Sequence, residues 1–502
     1  MDLISQTREK IARARRAAEP FPWELILCAA GIALRWAGLS GGSLWYDEAY
    51  SVVMARFDLL EMIGALRTNI SPPGWEIVIW VMTRAFGEND FAFRLAPFIV
   101  SVLTLVVFWK LTQEFHFTRA QAIFGLALLA LSPYQLWLAQ EARMYAVMSL
   151  LYLLGILWAR QGKYLGLAAV MGLLLWLHNT AIFYLLSLGL FALIVHPRDW
   201  RAIVVAGAVA LLAWLPWAPI LLTQSGQAIP WIEPLTWQAL TFNFVFDLFA
   251  STASRLGGSV VPILLFFVTI VTALILQTVA LVKKDATRVM ESLWMPAYIF
   301  WMPFVLFLAS NFLFRNALHY RSTSVLLPPL MLWLAAALIP HRPKLYHAIL
   351  PVLWIGAFVA GLALWSPKDR GGNLAQVVQV IEEGWQSGDV IYHANEMTAV
   401  LFSYYLPDKP HYVIDEQELA GGRGMIDQAK LAIPRAALEK ISHRRAWLVS
   451  PYYDYASPPD ERAADRRMRV YARDCMVAGI IPYWHHAWVG VYLCGDPARE
   501  PK

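Results

Sequence analysis

Asp47 and Glu48 stand side by side in Trp45-Tyr46-Asp47-Glu48, just past the first membrane-length apolar run of the chain. No basic residue lies between Ser40 and Ala55, so neither acid has a cation close by in sequence. A carboxylate where lipid meets water can take a proton from a substrate that arrives dissolved in the bilayer. Adjacent residues do not both face one pocket in regular structure. Asp47 is therefore read as the general base, with Glu48 bonding local backbone or orienting its neighbour, and the two form the catalytic candidate. A structural role competes: an acid ahead of Ala49-Tyr50-Ser51 suits the positive end of a short helix. Capping and catalysis are compatible.

Three other places carry ionisable or polar groups beside apolar runs: Gln140-Glu141-Ala142-Arg143-Met144-Tyr145, His178-Asn179, and Arg315 to Arg321. Guanidinium grips phosphate oxygens in bidentate fashion and keeps its charge, which makes Arg143, Arg315 and Arg321 candidates for binding a phosphate. An unpaired Arg at the centre of a membrane helix costs about 2.5–3.5 kcal/mol on insertion scales, so these should be paired or near the interface. The blander role for Arg143 is contact with lipid headgroups, and the same holds for Arg315, whose neighbours Phe314 and Asn316 add no signal. Glu141 pairs with Arg143 or binds a substrate. On a helix Glu141 and Tyr145 share a face and Arg143 turns away; in an extended loop all three align. His178-Asn179 is open among three roles: bonding substrate hydroxyls, ligating a metal with Glu48 or Glu76, or forming a polar pair between helices. No His/Cys/Asp spacing of ligand type occurs, so no essential metal and no cofactor are expected.

These residues need a membrane scaffold to bring them together. The chain has 502 residues, 58% of them hydrophobic and 15% charged, with a mean hydropathy of +0.49. A soluble protein carries charge on about a quarter of its residues, so the chain reads as an all-α polytopic membrane protein. Its 23 Trp and 20 Tyr suit aromatic belts at two interfaces. The net charge of +5 falls in short loops, not in a stripe, and nucleic acid is not an expected partner.

Eleven spans of about 20 residues are expected, near 22–40, 93–113, 121–139, 144–160, 163–177, 179–195, 201–222, 260–282, 292–312, 322–339 and 346–365. With that count the basic N-terminus (1–21), Lys110 to Arg119, Arg160 with Lys163, Arg198 with Arg201, Lys283-Lys284 with Arg288, and Arg342 with Lys344 all fall on one side. That side is cytoplasmic by the positive-inside rule. The opposite face collects Asp47-Glu48, the 140–145 segment, His178-Asn179, the loop Thr223–Ser259 and Arg315 to Arg321. The first span is expected to stay as a signal anchor, since no small-residue cleavage site follows it.

The first outer loop, 41–92, carries apolar residues at helical spacing over Tyr50–Arg67 and Trp75–Phe86, with Ser71-Pro72-Pro73-Gly74 breaking between them. Both read as helices lying in the interface. The scaffold so far, 22–365, is followed by a different composition. Residues 366–502 alternate short apolar runs (Asp389–Tyr392, Ala446–Val449, Val489–Leu493) with helical stretches (Asn373–Trp385, and Ile426–Ile441 broken at Pro434). That alternation predicts a small extracytoplasmic α/β domain. Cys475 and Cys494 lie in it, either bridged or as two buried thiols.

The order of the parts resembles a known family. A first span, the acid pair Asp47-Glu48, an interfacial helix, Pro72-Pro73, Phe86-Gly87 and Phe93-Arg94-Leu95 follow one another. The run Ser132-Pro133-Tyr134 to Ala139-Gln140-Glu141-Ala142-Arg143-Met144-Tyr145-Ala146 completes the likeness. The pattern is similar to membrane glycosyltransferases of the protein O-mannosyltransferase and lipid A aminoarabinose-transferase kind (glycosyltransferase family 39 and bacterial relatives, with the GT-C fold), over roughly 22–340. Ser71 stands where that family has the His of a His-Pro-Pro. The resemblance implies a polyprenyl-phosphate-sugar donor, transfer to a hydroxyl on a lipid, glycan or protein at the outer face of a plasma or inner membrane, and, at Arg321, a basic position near the lipid phosphate.

Two other readings stay open: a lipid-linked glycan flippase or transporter, and a surface-polysaccharide polymerase or ligase. A transporter would gather ionisable residues near mid-membrane, often on broken helices, whereas here they collect at one face. The absence of a Walker A sequence excludes a nucleotide-driven pump, and no Trp-Trp-Asp tripeptide points to transfer of an assembled glycan to Asn. Trp231, Glu233, Trp237 and Asp247 in the loop after Thr223 suit sugar contact or an interfacial helix equally, and Tyr452-Tyr453-Asp454-Tyr455 with Trp484-His485-His486 in the tail suit glycan contact or surface loops.

Overall fold

A computed structural model describes residues 21–40, 42–67, 69, 71–224, 236, 260–282, 290–313, 320–340, 345–364, 374–393, 396–414, 435–436, 445–453, 475–483 and 487–494. Helix α1 (Trp23–Ala37) leads into a loop that holds α2 (Tyr46–Met54), α3 (Leu59–Leu66) and α4 (Gly74–Phe86). Next come α5 (Asp90–Glu114), α6 (Arg119–Leu131), α7 (Pro133–Ala139), α8 (Tyr145–Arg160), α9 (Tyr164–Leu177) and α10 (Ala181–Val195). Helix α11 (Trp200–Trp214) runs through a short 3₁₀ turn into α12 (Ala218–Gln224). The helical part closes with α13 (Val260–Val282), α14 (Met295–Leu313), α15 (Tyr320–Thr323), α16 (Leu327–Leu338) and α17 (Ile349–Leu364).

Every expected span falls on a helix or on two helices joined end to end. Length and composition alone license fewer crossings than eleven. Among the described residues four helical stretches (Asp90–Glu114, Pro197–Gln224, Ser292–Asn311 and Arg321–Leu338) are long and apolar enough, or five with α6 and α7 taken as one bent span. The rest are shorter apolar helices that pack side by side.

The bend between α6 and α7 is 58°, and the sequence explains it. Pro133 has no N–H for the carbonyl of Leu129, so the helix cannot continue unbroken. Ser132 restarts it by accepting from the Gln135 N–H (3.3 Å). The freed carbonyls are then met by Arg35 of α1, which donates to Leu129 O (3.1 Å) and Ala130 O (3.2 Å), as well as to Ser101 Oγ (2.8 Å). Arg35 is buried, with polar partners on three helices. Arg35→Met is expected to lower stability by about 3 kcal/mol, the sum of stranded buried carbonyls; a thermal unfolding midpoint equal to wild type in detergent would refute this role.

The two expected helices of the first loop turn out to be three. The segment read as Tyr50–Arg67 starts earlier, at Tyr46, and breaks over Ala55–Asp58. The break survives because α4 satisfies its carbonyls: Trp80 Nε1 donates to Phe57 O (3.1 Å) and Arg84 to Ala55 O (3.3 Å). Helix α4 ends at Gly87, whose φ of 80° lies in the left-handed region that a side chain disfavours. Gly74 opens α4 against α9, where an added Cβ would come within 2.4 Å of Trp176 O.

Helix α16 is apolar on all sides and buried along its whole length, the pattern of a central helix. Trp333 on it donates to Gln277 Oε1 of α13 (3.2 Å). Its leading end carries α15 and Arg321.

The C-terminal part has α18 (Leu374–Gly384), β1 (Val390–His393), α19 (Glu396–Tyr405), β2 (His411–Ile414), β3 (Arg435–Ala436), β4 (Ala446–Tyr453), β5 (Met476–Tyr483) and β6 (Ala487–Cys494). The sheet order is β3-β2-β1-β4-β6-β5. Its first four strands are parallel and its last pairings antiparallel. β1–α19–β2 is the crossover that parallel pairing requires. Arg435-Ala436, expected inside a helix, instead pairs with Val413 and Ile414 of β2. The gain of ladder bonds at a sheet edge outweighs a local helical pattern already interrupted by Pro434. Cys475 and Cys494 are bridged, which resolves the open choice between disulfide and separate thiols.

Candidate active site

Asp47 and Glu48 occupy the first turn of α2, and one helical step of about 100° sends them to different surroundings. Glu48 turns inward and is fully buried. Its carboxylate meets Arg94 of α5 in a fork (Nη2–Oε2 3.1 Å, Nε–Oε1 3.3 Å) and accepts from the Ala142 N–H (2.7 Å) and the Trp45 N–H (3.3 Å). Arg94 also donates to the carbonyls of Leu39, Gly42 and Ser43. One buried ion pair thus ties the end of α1, the start of α2, the head of α5 and the 140–144 loop. Such a pair needs every lone pair answered, and this one has that.

Asp47 turns the other way and keeps 26% of its side chain exposed. Its Oδ2 accepts from Arg321 Nη1 at 2.7 Å. The Arg321 guanidinium lies over the Trp45 ring, 4.2 Å from its centroid, a cation–π contact. Arg321 is fixed from behind: Tyr184 of α10 donates to Ser322 O (2.6 Å) and Ser324 Oγ donates to Arg321 O (2.6 Å).

Arg143 approaches from the loop between α7 and α8. That loop is pinned on both sides. Gln140 donates to Leu34 O and Arg35 O, and Trp75 Nε1 of α4 donates to Ala142 O (3.0 Å). Arg143 Nη1 then donates to Ser51 Oγ (2.9 Å) and to the Asp47 carbonyl (3.3 Å), with Glu76 Oε1 3.9 Å away. Ser51 donates to Glu76 Oε1 (3.4 Å). Burial raises the Glu76 carboxyl, and Arg143 opposes the rise. Glu76 Oε2 and Arg143 Nε are both buried without a hydrogen-bond partner among the described residues.

The geometry of the 140–145 segment decides between the two spacings considered above. It is a turn, in which the Arg143 N–H donates to Glu141 O (2.7 Å). Glu141 is buried in that turn and Tyr145 is buried at the head of α8, within Coulombic range of Arg143, Arg321 and Asp47. The Tyr145 ring faces His178, 6.2 Å between centroids. His178 sits between α9 and α10, bonded through Nδ1 to Thr180 Oγ1 (2.8 Å). Burial, with Arg143 adding to it, pushes its imidazole down to about 4, so it is neutral at ordinary pH. Asn179 reaches Gln224 Oε1 (3.5 Å). No group of three or more His, Cys, Asp or Glu suited to a metal occurs among the described residues, and Glu76 and Glu48 are engaged with Arg143 and Arg94 instead. Arg315, Trp231, Glu233, Trp237, Asp247, Asp454, Tyr455 and Trp484-His485-His486 lie outside the described residues.

The C-terminal part reaches this site through α19. Tyr405 OH accepts from the Leu44 N–H (2.6 Å), and Ser43 Oγ accepts from the Ala375 N–H of α18 (3.2 Å). Tyr404 OH donates to Asp90 Oδ1 (2.8 Å), while Arg56 binds Glu88 and the carbonyls of Ser403 and Tyr404. The segment that leads into Asp47 is therefore held between α19 on one side and Arg94 on the other.

Residues 71–223, which include α4 and the Arg143 loop, match the family described as Dolichyl-phosphate-mannose-protein mannosyltransferase. No curated protein matches the chain in sequence. Among solved structures it is similar to ArnT from Cupriavidus metallidurans in the apo state, at 14% identity and a TM-score of 0.58, covering 96% of this chain and 99% of that one. The same protein bound to undecaprenyl phosphate aligns at 14% identity and a TM-score of 0.57, covering 96% of this chain and 100% of that one. The chain is a membrane protein of the GT-C fold, carrying the mannosyltransferase family match over the segment that builds half of its candidate site.

Proposed function

We propose that the chain is an integral membrane glycosyltransferase that moves a sugar from a polyprenyl-phosphate donor to a hydroxyl acceptor at the outer face of the plasma or inner membrane. One observation carries the reading: Arg321 on the Asp47 carboxylate at 2.7 Å, with Arg143 on the Asp47 carbonyl, brings a base and two phosphate-binding groups to one spot. The undecaprenyl phosphate seen with ArnT supports a polyprenyl phosphate as the lipid. The basic loops on the opposite side support the outer face, and with it an extracytoplasmic C-terminal domain.

The chemistry is a single displacement. Asp47 takes the proton of the acceptor hydroxyl as its oxygen attacks the anomeric carbon. The bond from that carbon to the phosphate oxygen breaks, its electron pair stays on the phosphate, and Arg143 and Arg321 offset the added charge. The anomeric centre inverts. Glu141, Tyr145 and His178 lie within Coulombic range of Arg143, and with Asn179 they are assigned to sugar and acceptor hydroxyls, the neutral imidazole of His178 being able to donate or accept.

Transfer from a set of polyprenyl-phosphate hexoses and pentoses by the purified full chain in nanodiscs tests the activity. Arg143→Ala is expected to weaken polyprenyl-phosphate binding about 10- to 100-fold, the value of one charged hydrogen bond, and to lower turnover with it. Wild-type lipid affinity in that variant would remove Arg143 from the phosphate site.

A further inference from the structure

Asp47 and Arg321 each have a task in the reaction just proposed, and in this structure they occupy each other. A carboxylate oxygen that accepts from a guanidinium has that lone pair engaged and is not open to an acceptor's proton. A guanidinium held by a carboxylate has fewer donors turned toward a phosphate. Both tasks cannot be performed in the arrangement seen.

The pair differs from its neighbours in ways that suit exchange. Glu48 and Arg94 are wholly buried and joined by two bonds. Arg321 meets Asp47 through Nη1 with both side chains partly exposed, 18% and 26%. Arg143 is anchored to Ser51, Glu76 and a backbone carbonyl, none of which is the Asp47 carboxylate. The Trp45 ring beneath Arg321 provides a face that holds a cation without fixing the direction of its N–H groups. That contact is kept whichever acceptor the N–H groups meet.

We propose that Arg321 is shared between the base and the donor phosphate: in the empty site it neutralises Asp47, and an arriving lipid phosphate draws it off. The reading of Asp47 as base and Arg321 as phosphate ligand underlies this step. Donor binding then precedes activation of the acceptor, and a site without donor holds a masked base. The exchange also runs backward after transfer. Asp47 carries the acceptor's proton at that point; when it loses that proton to water it recovers its charge, competes for Arg321, and loosens the polyprenyl phosphate left behind.

The test is a double-mutant cycle on binding of undecaprenyl phosphate, without sugar, to the full chain in nanodiscs. Asp47→Asn keeps the shape and removes the competing charge, so it should bind the lipid about three- to ten-fold more tightly than wild type. Arg321→Gln should bind it more weakly, and in that background Asp47→Asn should gain little or nothing. Unchanged or weaker binding by Asp47→Asn overturns the proposal. So does a gain that persists undiminished without Arg321, since that is plain charge repulsion. Arg321→Lys replaces Arg321→Gln where the latter does not fold, with the gain expected to shrink because ammonium has no fork to share. The two readings fail separately. An Asp47→Asn protein that loses transfer with wild-type lipid affinity removes the exchange and keeps the base. One that gains affinity yet transfers sugar at the wild-type rate keeps the exchange and removes the base.

Discussion

Asp47→Asn is expected to lower sugar transfer by about 10²- to 10⁴-fold, the range that a positioned general base supplies. The substitution is nearly isosteric and leaves an amide oxygen able to accept from Arg321, so the loss should come without a drop in thermal stability. The α2 helix is held by Glu48, not by Asp47, which is why the acid can be neutralised without moving its backbone. Initial rates at saturating donor, measured beside the unfolding midpoint, separate the two quantities. Turnover within three-fold of wild type would mean that another group takes the proton. Glu76, a buried carboxylate 3.9 Å from Arg143, is too enclosed to receive it directly.

Asp47, Arg143 and Arg321 were legible in the sequence for one reason: each is ionisable and lies at the mouth of an apolar run, where a charge without a task is disfavoured. That they share one face followed from the span count, but that they touch did not, since the partners are separated by 274 residues in one case and 96 in the other. The supporting groups were harder still. In the sequence Glu76 is a candidate only as a metal ligand with His178, and Ser51 is not one at all; their link appears only when α2 and α4 pack. Arg94 read as a charge at the start of a span, although Phe93-Arg94-Leu95 already formed part of the family pattern. Its burial follows from Glu48, and neither residue alone announces it.

The same locality rule runs through the fold. Helices α5 and α6 announce their starts through Asn89 and through the Thr118–Gln121 capping box, both within four residues. The break over Ala55–Asp58 depends on Trp80 and Arg84 more than twenty residues away, and sequence periodicity ran straight through it. β3 exists because β2 is there to pair with it. The break at Pro72-Pro73 was readable because its signal is local, whereas features set by a distant partner were not.

The second large effect concerns the pair beneath the base. Glu48→Gln should lower stability by about 3–5 kcal/mol, because the Arg94 charge then sits buried with only carbonyls to answer it. Arg94→Met should cost a similar amount for the opposite reason, since Glu48 keeps the Trp45 and Ala142 N–H groups but no cation. Removing both charges, in Glu48→Gln with Arg94→Met, should cost less than the sum of the single changes, as the two residues form one unit. Thermal unfolding of the three proteins in the same detergent measures this directly. The result also assigns Glu48 its part. A Glu48→Gln protein that unfolds early and regains transfer when polyprenyl phosphate stabilises it holds a residue that positions Asp47. One that keeps its wild-type midpoint and still loses transfer would put Glu48 in the proton chemistry, and the division of labour within the acid pair would have to be reversed.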